Sequence, residues 1–115
     1  MHEASLAGGV LQLLEQAAAR ERFRRVGSVR LEVGALAGVE VRALRFALQA
    51  IAPGTCLEDA RIEIDEPAGS AWCLACNASV EIRSRVEGCP QCGGARLHAT
   101  GGTELRVVDL IVHDD

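Results

Sequence analysis

The sequence predicts an α+β fold, in which two helices lie on a small mixed three-stranded sheet and a zinc-ribbon-like lobe is inserted. Three observations lead to this prediction. Two stretches of the 115-residue chain carry apolar residues at helical spacing, three stretches alternate polar and apolar residues, and two C-x2-C pairs lie near its C-terminal end. The pairs interrupt the alternation, so we expect one lobe from residues 1–67 plus 103–115 and a second from residues 68–102.

The first element is an amphipathic helix from about Glu3 to Arg22. Its apolar residues recur at helical spacing, at Leu6, Val10, Leu13, Leu14 and Ala17. Gly8 and Gly9 interrupt it, and each costs about 1 kcal/mol relative to alanine in a helix interior. The pattern therefore predicts a helix whose first two turns are its weakest part.

A strand, a second helix and another strand follow. Residues 29–33 alternate apolar and charged side chains, which predicts a half-buried strand. Residues 40–52 carry a helical apolar stripe of Val41, Leu44, Leu48 and Ile51. Pro53-Gly54 ends this helix, and residues 61–66 alternate again as a second strand.

The cysteine module is bounded by residues that favour turns. Residues 67–70 have no periodicity, and Gly101-Gly102 form a second hinge, so we place the module at about 71–100. Residues 79–83 and 96–99 could each form a short strand inside it. A final strand follows at 104–112, with a shift of its apolar phase after Val107 that suggests a bulge.

Composition excludes several classes of protein. The chain is 49% hydrophobic and 24% charged, which is typical of a globular domain, and its formal net charge is −4. An acidic domain is poorly suited to nucleic acid, which is bound mainly through its phosphates. The sequence shows no signal peptide and no apolar run of transmembrane length. We therefore expect a cytoplasmic protein without nucleic-acid or membrane partners.

The strongest motif is the pair of cysteine turns, Cys73-x2-Cys76 and Cys89-x2-Cys92. Two thiolates on each of two tight turns can complete the tetrahedron that zinc accepts. Four protein ligands leave no open coordination position, so the predicted zinc is structural. Two disulfides, a redox pair and an iron tetrathiolate stay open as alternatives. Cys56 lies away from the pairs and is interpreted as a buried, inert thiol.

The N-terminus is a second candidate metal site. The Met1 amine, the His2 amide and imidazole, and the Glu3 amide can provide a planar set of nitrogens, which suits Ni(II) or Cu(II). On the residues alone, an exposed histidine at the second position is more simply an incidental surface residue. Glu40 is best explained as a helix cap near that site.

The remaining candidates carry less weight. His98 follows the second cysteine pair and is best explained as a solvated strand residue, although it could reach a shared metal. His113 is expected in the C-terminal tail. No Ser/His/Asp set, phosphate loop or dinucleotide-binding motif is present in the sequence. The chain is therefore not expected to be an enzyme.

Taken together, the motifs resemble those of the HypA/HybF family of hydrogenase nickel incorporation proteins. The similarity lies in Met1-His2-Glu3 at the start, in residues 33–47 in the middle, in the two cysteine pairs, and in residues 101–107. The resemblance covers nearly the whole chain. Gly8-Gly9 departs from the more helix-favouring residues that are common there.

The resemblance implies a specific function. It makes His2 the principal nickel ligand, with Met1 and Glu3 contributing main-chain nitrogens, and it makes the four paired cysteines the ligands of a structural zinc. It implies a metallochaperone whose cargo is Ni(II) for the large subunit of [NiFe]-hydrogenase. The implied partners are a HypB-type GTPase and, in some systems, urease maturation factors, with the protein as a monomer or homodimer. The alternative is a zinc-ribbon interaction module without a nickel function.

Overall fold

The structure, a computed structural model, describes residues 2–114 and contains two helices and six strands in that part of the chain. They are α1 (His2–Glu21), β1 (Arg25–Val33), α2 (Val41–Ile51), β2 (Arg61–Asp65), β3 (Gly69–Cys73), β4 (Ala78–Ile82), β5 (Leu97–Gly101) and β6 (Leu105–His113). The strands form two three-stranded sheets, with orders β2-β1-β6 and β4-β3-β5. The predicted α+β class with a cysteine-bearing lobe is confirmed.

The described residues fall into two compact units. The first lies within Met1–Leu31, Val39–Asp65 and Val107–Asp115, and the second is Glu32–Gly38 with Glu66–Arg106. Both helices belong to the first unit, and the whole sheet β4-β3-β5 belongs to the second. The second unit also includes residues 32–38, which the sequence pattern did not associate with the cysteine module. The predicted lobe limits of 1–67 with 103–115, and 68–102, stay a prediction.

Helix α1 spans the predicted residues but does not bury all of the predicted face. Ala7, Val10 and Leu14 are its buried residues. The prediction that Leu13 lies on the buried face is wrong, since its side chain is 53% exposed. The heptad-like positions 7, 10 and 14 are the ones that pack, because one helical turn of 3.6 residues brings them to a single side. A Cβ added at Gly8 or at Gly9 would meet no other atom within 4 Å, so packing does not require glycine at either position.

Helix α2 follows its predicted stripe closely and packs against α1. Leu44 and Leu48 are completely buried, and the Glu40 carboxylate accepts a hydrogen bond from the Ala43 amide at 2.8 Å. Glu40 is therefore the N-cap that satisfies one of the free donors of the first turn, as predicted. Neither helix within residues 2–114 is long and apolar enough to cross a membrane.

Strand β1 is longer than predicted and divides apolar from charged side chains. Val29 and Leu31 are buried in the first unit, whereas Arg30 lies on the other face. The Arg30 guanidinium contacts three carboxylates on two neighbouring strands, those of Glu63, Asp65 and Asp109. One face of the sheet is thus apolar and the other carries a mixed-charge network.

Strand β3 is the main element that the sequence pattern missed. Residues 67–70 were predicted as a boundary, yet the strand begins at Gly69 and is central to the second sheet. It pairs antiparallel with β4 and with β5. A Cβ at Gly69 would collide with the Leu36 side chain. Glycine is therefore present here for close packing, although its sequence context suggested a turn.

Candidate metal centres

The four paired cysteines converge at one end of the sheet β4-β3-β5. Cys73 is the last residue of β3, and Cys76 follows in the turn that leads to β4. The second pair lies on a separate turn, in which the Gly93 amide bonds the Cys89 carbonyl at 2.7 Å and Gly93 has a φ of 74°. This positive φ explains why glycine follows the second pair.

The sulfur positions match a tetrathiolate site. All four Sγ atoms lie within 4.8 Å of one another, and no other group of three or more potential ligands was found among residues 2–114. The Sγ atoms of Cys73 and Cys92 are 3.7 Å apart, and those of Cys76 and Cys89 are 3.9 Å apart. A tetrahedron with zinc–sulfur bonds of about 2.3 Å has edges of about 3.8 Å. The cysteines therefore fit a single tetrahedral ion, and the sulfurs are too far apart for the disulfide alternative.

Backbone amides support the sulfurs on both turns. The Cys76 amide donates to Cys73 Sγ, the Gln91 amide to Cys89 Sγ and the Gly94 amide to Cys92 Sγ, each at 3.4 Å. Such donors stabilise thiolate over thiol. The chemistry of the site is that of a closed, four-coordinate centre without a position for water or substrate.

Two thiols of the cluster have pKa values that are shifted in opposite directions. The backbone amides of Cys92 and Gln91 lower the pKa of Cys89 to about 7. Hydrogen bonds with the neighbouring sulfurs of Cys92 and Cys73 raise the pKa of Cys76 to about 12. Negative charges on sulfur atoms at such close range repel one another. A bound dication would remove this conflict, since it holds its thiolate ligands deprotonated.

The N-terminal candidates lie at the start of α1. His2 is the first residue of the helix and is exposed, and Glu3 occupies its first turn. The Glu3 carboxylate accepts a hydrogen bond of 3.0 Å from the Glu40 amide, and this bond lowers the pKa of Glu3. Met1 lies outside the described residues.

The contact between Glu3 and Glu40 links the start of α1 to the start of α2, two positions 37 residues apart in the chain. Sequence reasoning placed Glu40 near this site but did not predict the bond. No local pattern could have revealed it, because it depends on how the two helices pack.

The other candidates are dispersed. His98 is an exposed residue of β5, opposite Trp72 of β3, and does not belong to the sulfur cluster. His113 was expected in the tail, but it is the last residue of β6, where its carbonyl accepts from the Arg24 amide. Cys56 is buried, and burial raises the pKa of its thiol to about 12. The prediction that Cys56 is a buried, inert thiol agrees with both observations.

Comparisons with known proteins agree with this arrangement. Residues 1–112 match the family model of HypA, described as hydrogenase/urease nickel incorporation, metallochaperone. The chain is 68% identical over 114 residues to the hydrogenase maturation factor HypA of Cupriavidus necator, covering 99% of this chain and 96% of the relative. It is 62% identical over 115 residues to that of Polaromonas naphthalenivorans, with both chains covered completely.

A solved structure shares the fold. The solution structure of the Ni metallochaperone HypA from Helicobacter pylori superposes with a TM-score of 0.69, at 17% sequence identity, over 98% of each chain. At that identity the likeness concerns the fold alone.

Proposed function

This chain belongs to the HypA family of hydrogenase/urease nickel incorporation proteins, and we propose that it is a metallochaperone that binds Ni(II) at its N-terminus and delivers it to the large subunit of [NiFe]-hydrogenase. The observation that carries the proposal is the placement of His2. It is an exposed histidine at the first residue of α1, and the side chain of the neighbouring Glu3 accepts a hydrogen bond from the amide at the start of α2.

The helix start favours binding through main-chain nitrogens. The first four N–H groups of an α-helix have no carbonyl partner within the helix. The amides of His2 and Glu3 are among these four. Loss of their protons to a metal would therefore break no helical hydrogen bond. With the His2 imidazole and the Met1 amine they form the four-nitrogen set that square-planar Ni(II) accepts.

The hydrogen bond of Glu3 involves its side chain only, so its main-chain amide remains available to a metal. Its carboxylate is engaged by the Glu40 amide at 3.0 Å, so the side chain acts as an anchor and the proposed ligand is the amide nitrogen. The anchor limits the positions that the first residues can take. It therefore reduces the conformational entropy that metal binding must remove.

Few and exposed ligands suit a carrier, which must release its metal as well as bind it. Nitrogen ligands of this kind bind Cu(II) more tightly than Ni(II). Selectivity for nickel must then come from metal availability and from docking to partners. We propose a HypB-type GTPase and the hydrogenase large subunit as those partners, with urease maturation factors where urease is present, and the cytoplasm as the location.

The second metal in the proposal is zinc at Cys73, Cys76, Cys89 and Cys92. Its role is structural, because four thiolates fill its coordination sphere. Two of these cysteines, Cys73 and Cys89, are also buried core residues of the second unit. Zinc would neutralise thiolate charge within that core. We propose no catalytic role for either metal.

Nickel titration of protein with a native, untagged N-terminus tests the proposal. We expect about one nickel per chain in addition to zinc, measured by calorimetry and elemental analysis. His2→Ala should abolish nickel binding and leave the zinc content unchanged. His98→Ala removes another exposed histidine and should change neither metal. Full nickel affinity in His2→Ala would refute the assignment, and an absence of nickel binding by the wild type would favour a zinc-ribbon module without nickel function.

Two substitutions at Glu3 separate its main chain from its side chain. Glu3→Pro removes the amide N–H, and proline is tolerated in the first helical turn. Glu3→Gln keeps the amide and removes the charge. We expect nickel binding to be lost in Glu3→Pro and largely kept in Glu3→Gln. Equal loss in both variants would indicate that the carboxylate is the ligand.

A further inference from the structure

Strand β6 forms an unprotected edge of the sheet β2-β1-β6. Its C-terminal half contains three consecutive apolar residues, 110–112, of which Ile111 is 61% exposed and Val112 is 40% exposed. The opposite edge, β2, is short and carries the charged side chains of Arg61 and Asp65. Charges and short length protect an edge from pairing with another chain, whereas a long apolar edge attracts it.

The backbone of β6 presents hydrogen-bonding groups to that open edge. The carbonyl of His113 accepts from the Arg24 amide at 3.1 Å, so the backbone groups of His113 face β1. Along a strand these groups point alternately to either side. Those of Leu110 and Val112 therefore point to the open edge, where no strand of residues 2–114 pairs with them.

The segment Asp109-Leu110-Ile111-Val112-His113 is complementary to its own reverse. When two copies run antiparallel with Ile111 opposite Ile111, Leu110 of each lies opposite Val112 of the other. Asp109 of each then lies opposite His113 of the other. We propose that two copies of this chain associate through β6 in this register, and so join their three-stranded sheets into one continuous sheet.

The proposed register satisfies the backbone as well as the side chains. Leu110 and Val112 become hydrogen-bonded pairs, in which each pair exchanges both of its N–H···O bonds. Ile111 then forms the closer, non-hydrogen-bonded pair, which brings together on the twofold axis the most exposed apolar side chain of β6 from each copy. A carboxylate facing an imidazole at each end of the segment adds a donor–acceptor pair.

Contacts within the monomer are compatible with this pairing. The Asp109 carboxylate lies 3.6 Å from the Arg30 guanidinium, and its second oxygen can accept a further bond. The His113 ring rests beside Gly27, where a Cβ would lie 2.5 Å from its Nε2. A five-residue strand pair buries much less than the roughly 1,600 Å² of a standard stable interface. The association should therefore be weak and depend on protein concentration.

Sedimentation equilibrium of the untagged protein, loaded with zinc and free of nickel, tests the association over a wide range of protein concentrations. We expect a reversible monomer–dimer equilibrium. Ile111→Lys places two lysines opposite each other and should raise the dissociation constant by about tenfold or more. Phe46→Lys is the matched control, because Phe46 is an even more exposed apolar residue, on α2, and it should leave the equilibrium unchanged.

Cysteine cross-linking tests the register. Ile111→Cys would place the two new thiols on Cα atoms about 4.5 Å apart, within the range of a disulfide. His113→Cys, on the same strand, would place each new thiol opposite residue 109 of the other copy, so that the two thiols lie four residues apart along the strands, or about 13 Å. Under mild oxidation of the metal-loaded protein, we expect covalent dimers from Ile111→Cys and at most traces from His113→Cys or the wild type.

Three outcomes would overturn the proposal. They are a protein that stays monomeric at all concentrations, a dimer that Ile111→Lys does not weaken, and cross-linking that is equally efficient at the two positions. Circular dichroism of each variant checks that the helices are retained. Nickel binding does not enter these tests, so their result is independent of the metallochaperone proposal.

Discussion

Removal of the metal from the four-cysteine site should unfold the second unit and leave the helical unit folded. The core of the second unit consists of six buried residues, Leu36, Ala71, Cys73, Val80, Ile82 and Cys89. Two of the six, Cys73 and Cys89, belong to the four-cysteine cluster that we propose binds zinc, so little apolar core would remain without the metal. Small modules of this kind depend on their metal for folding.

The magnitude follows from the strength of thiolate coordination. Structural zinc binding contributes apparent free energies of about 10–16 kcal/mol in small zinc modules. Whole domains are stable by only about 5–15 kcal/mol. Cys73→Ser removes a proposed zinc ligand whose residue is completely buried, and leaves a hydroxyl in its place. We therefore expect complete unfolding of the second unit in this variant, and the same result when a chelator removes the metal.

Two spectroscopic signals separate the units. Trp72 is the only tryptophan of the chain and lies on β3 in the second unit, so its fluorescence reports on that unit. Both helices belong to the first unit, so circular dichroism at 222 nm reports mainly on that first unit. In Cys73→Ser, the emission of Trp72, which is 38% exposed in the folded protein, should move further to the red, whereas the helical signal should persist.

A core variant of the first unit is the reciprocal control. Leu48 is completely buried on α2, and Leu→Ala substitutions at such sites cost about 2.7–5 kcal/mol. In a unit of this size, Leu48→Ala should lower the midpoint of the helical transition by more than about 10 °C, and leave the tryptophan transition in place. Unchanged Trp72 emission in Cys73→Ser, or loss of both signals together, would refute the reasoning.

Three further predictions concern single features. Gly8→Ala should stabilise the first unit by about 0.5–1 kcal/mol, since the added Cβ meets nothing within 4 Å. Gly34→Ala should destabilise the second unit, because its Cβ would strike the carbonyl of Gly102; thermal melts should show a higher midpoint for the first variant and a lower midpoint for the second. Burial raises the pKa of the Cys56 thiol from its ordinary 9.0 to about 12, so the contribution of this thiol to folding stability should be complete below about pH 9 and lost as the pH rises towards 12. The thiol of the folded protein should also resist iodoacetamide at pH 8; rapid labelling detected by mass spectrometry would contradict this. Nickel affinity should fall as the pH decreases between about 8 and 5, because imidazole and amide nitrogens must lose protons to bind metal; an affinity that stays constant in calorimetric titrations over this range would count against nitrogen ligands.

Much of the fold could be predicted from local patterns. Helix α2 and strand β2 were predicted within a residue or two, because their apolar residues follow the period of the element that buries them. Strand β3 could not be predicted, since Gly69 and Ser70 favour turns in isolation. The exposure of Leu13 was missed for a related reason. An apolar stripe defines a helix face, but only the neighbouring elements decide how much of that face is covered.

The candidate site divides in the same way. The spacing of the cysteines predicted a four-sulfur cluster, because two C-x2-C turns can together provide the four thiolates of one tetrahedral site. The role of His2 could be inferred only from a resemblance, since one exposed histidine has no distinctive pattern. The hydrogen bond between Glu3 and Glu40 could not be inferred at all.

By itself, the sequence determined the class of fold, the order of most elements, the cluster of four cysteines and the family. Each of these depends on residues close together in the chain, or on motifs that are specific in combination. The tertiary structure decided what depends on distant residues: the central place of β3, the hydrogen bond that holds Glu3 at the start of α2, and the open edge of β6. Contacts between remote segments depend on how whole elements pack, and no local periodicity records that packing.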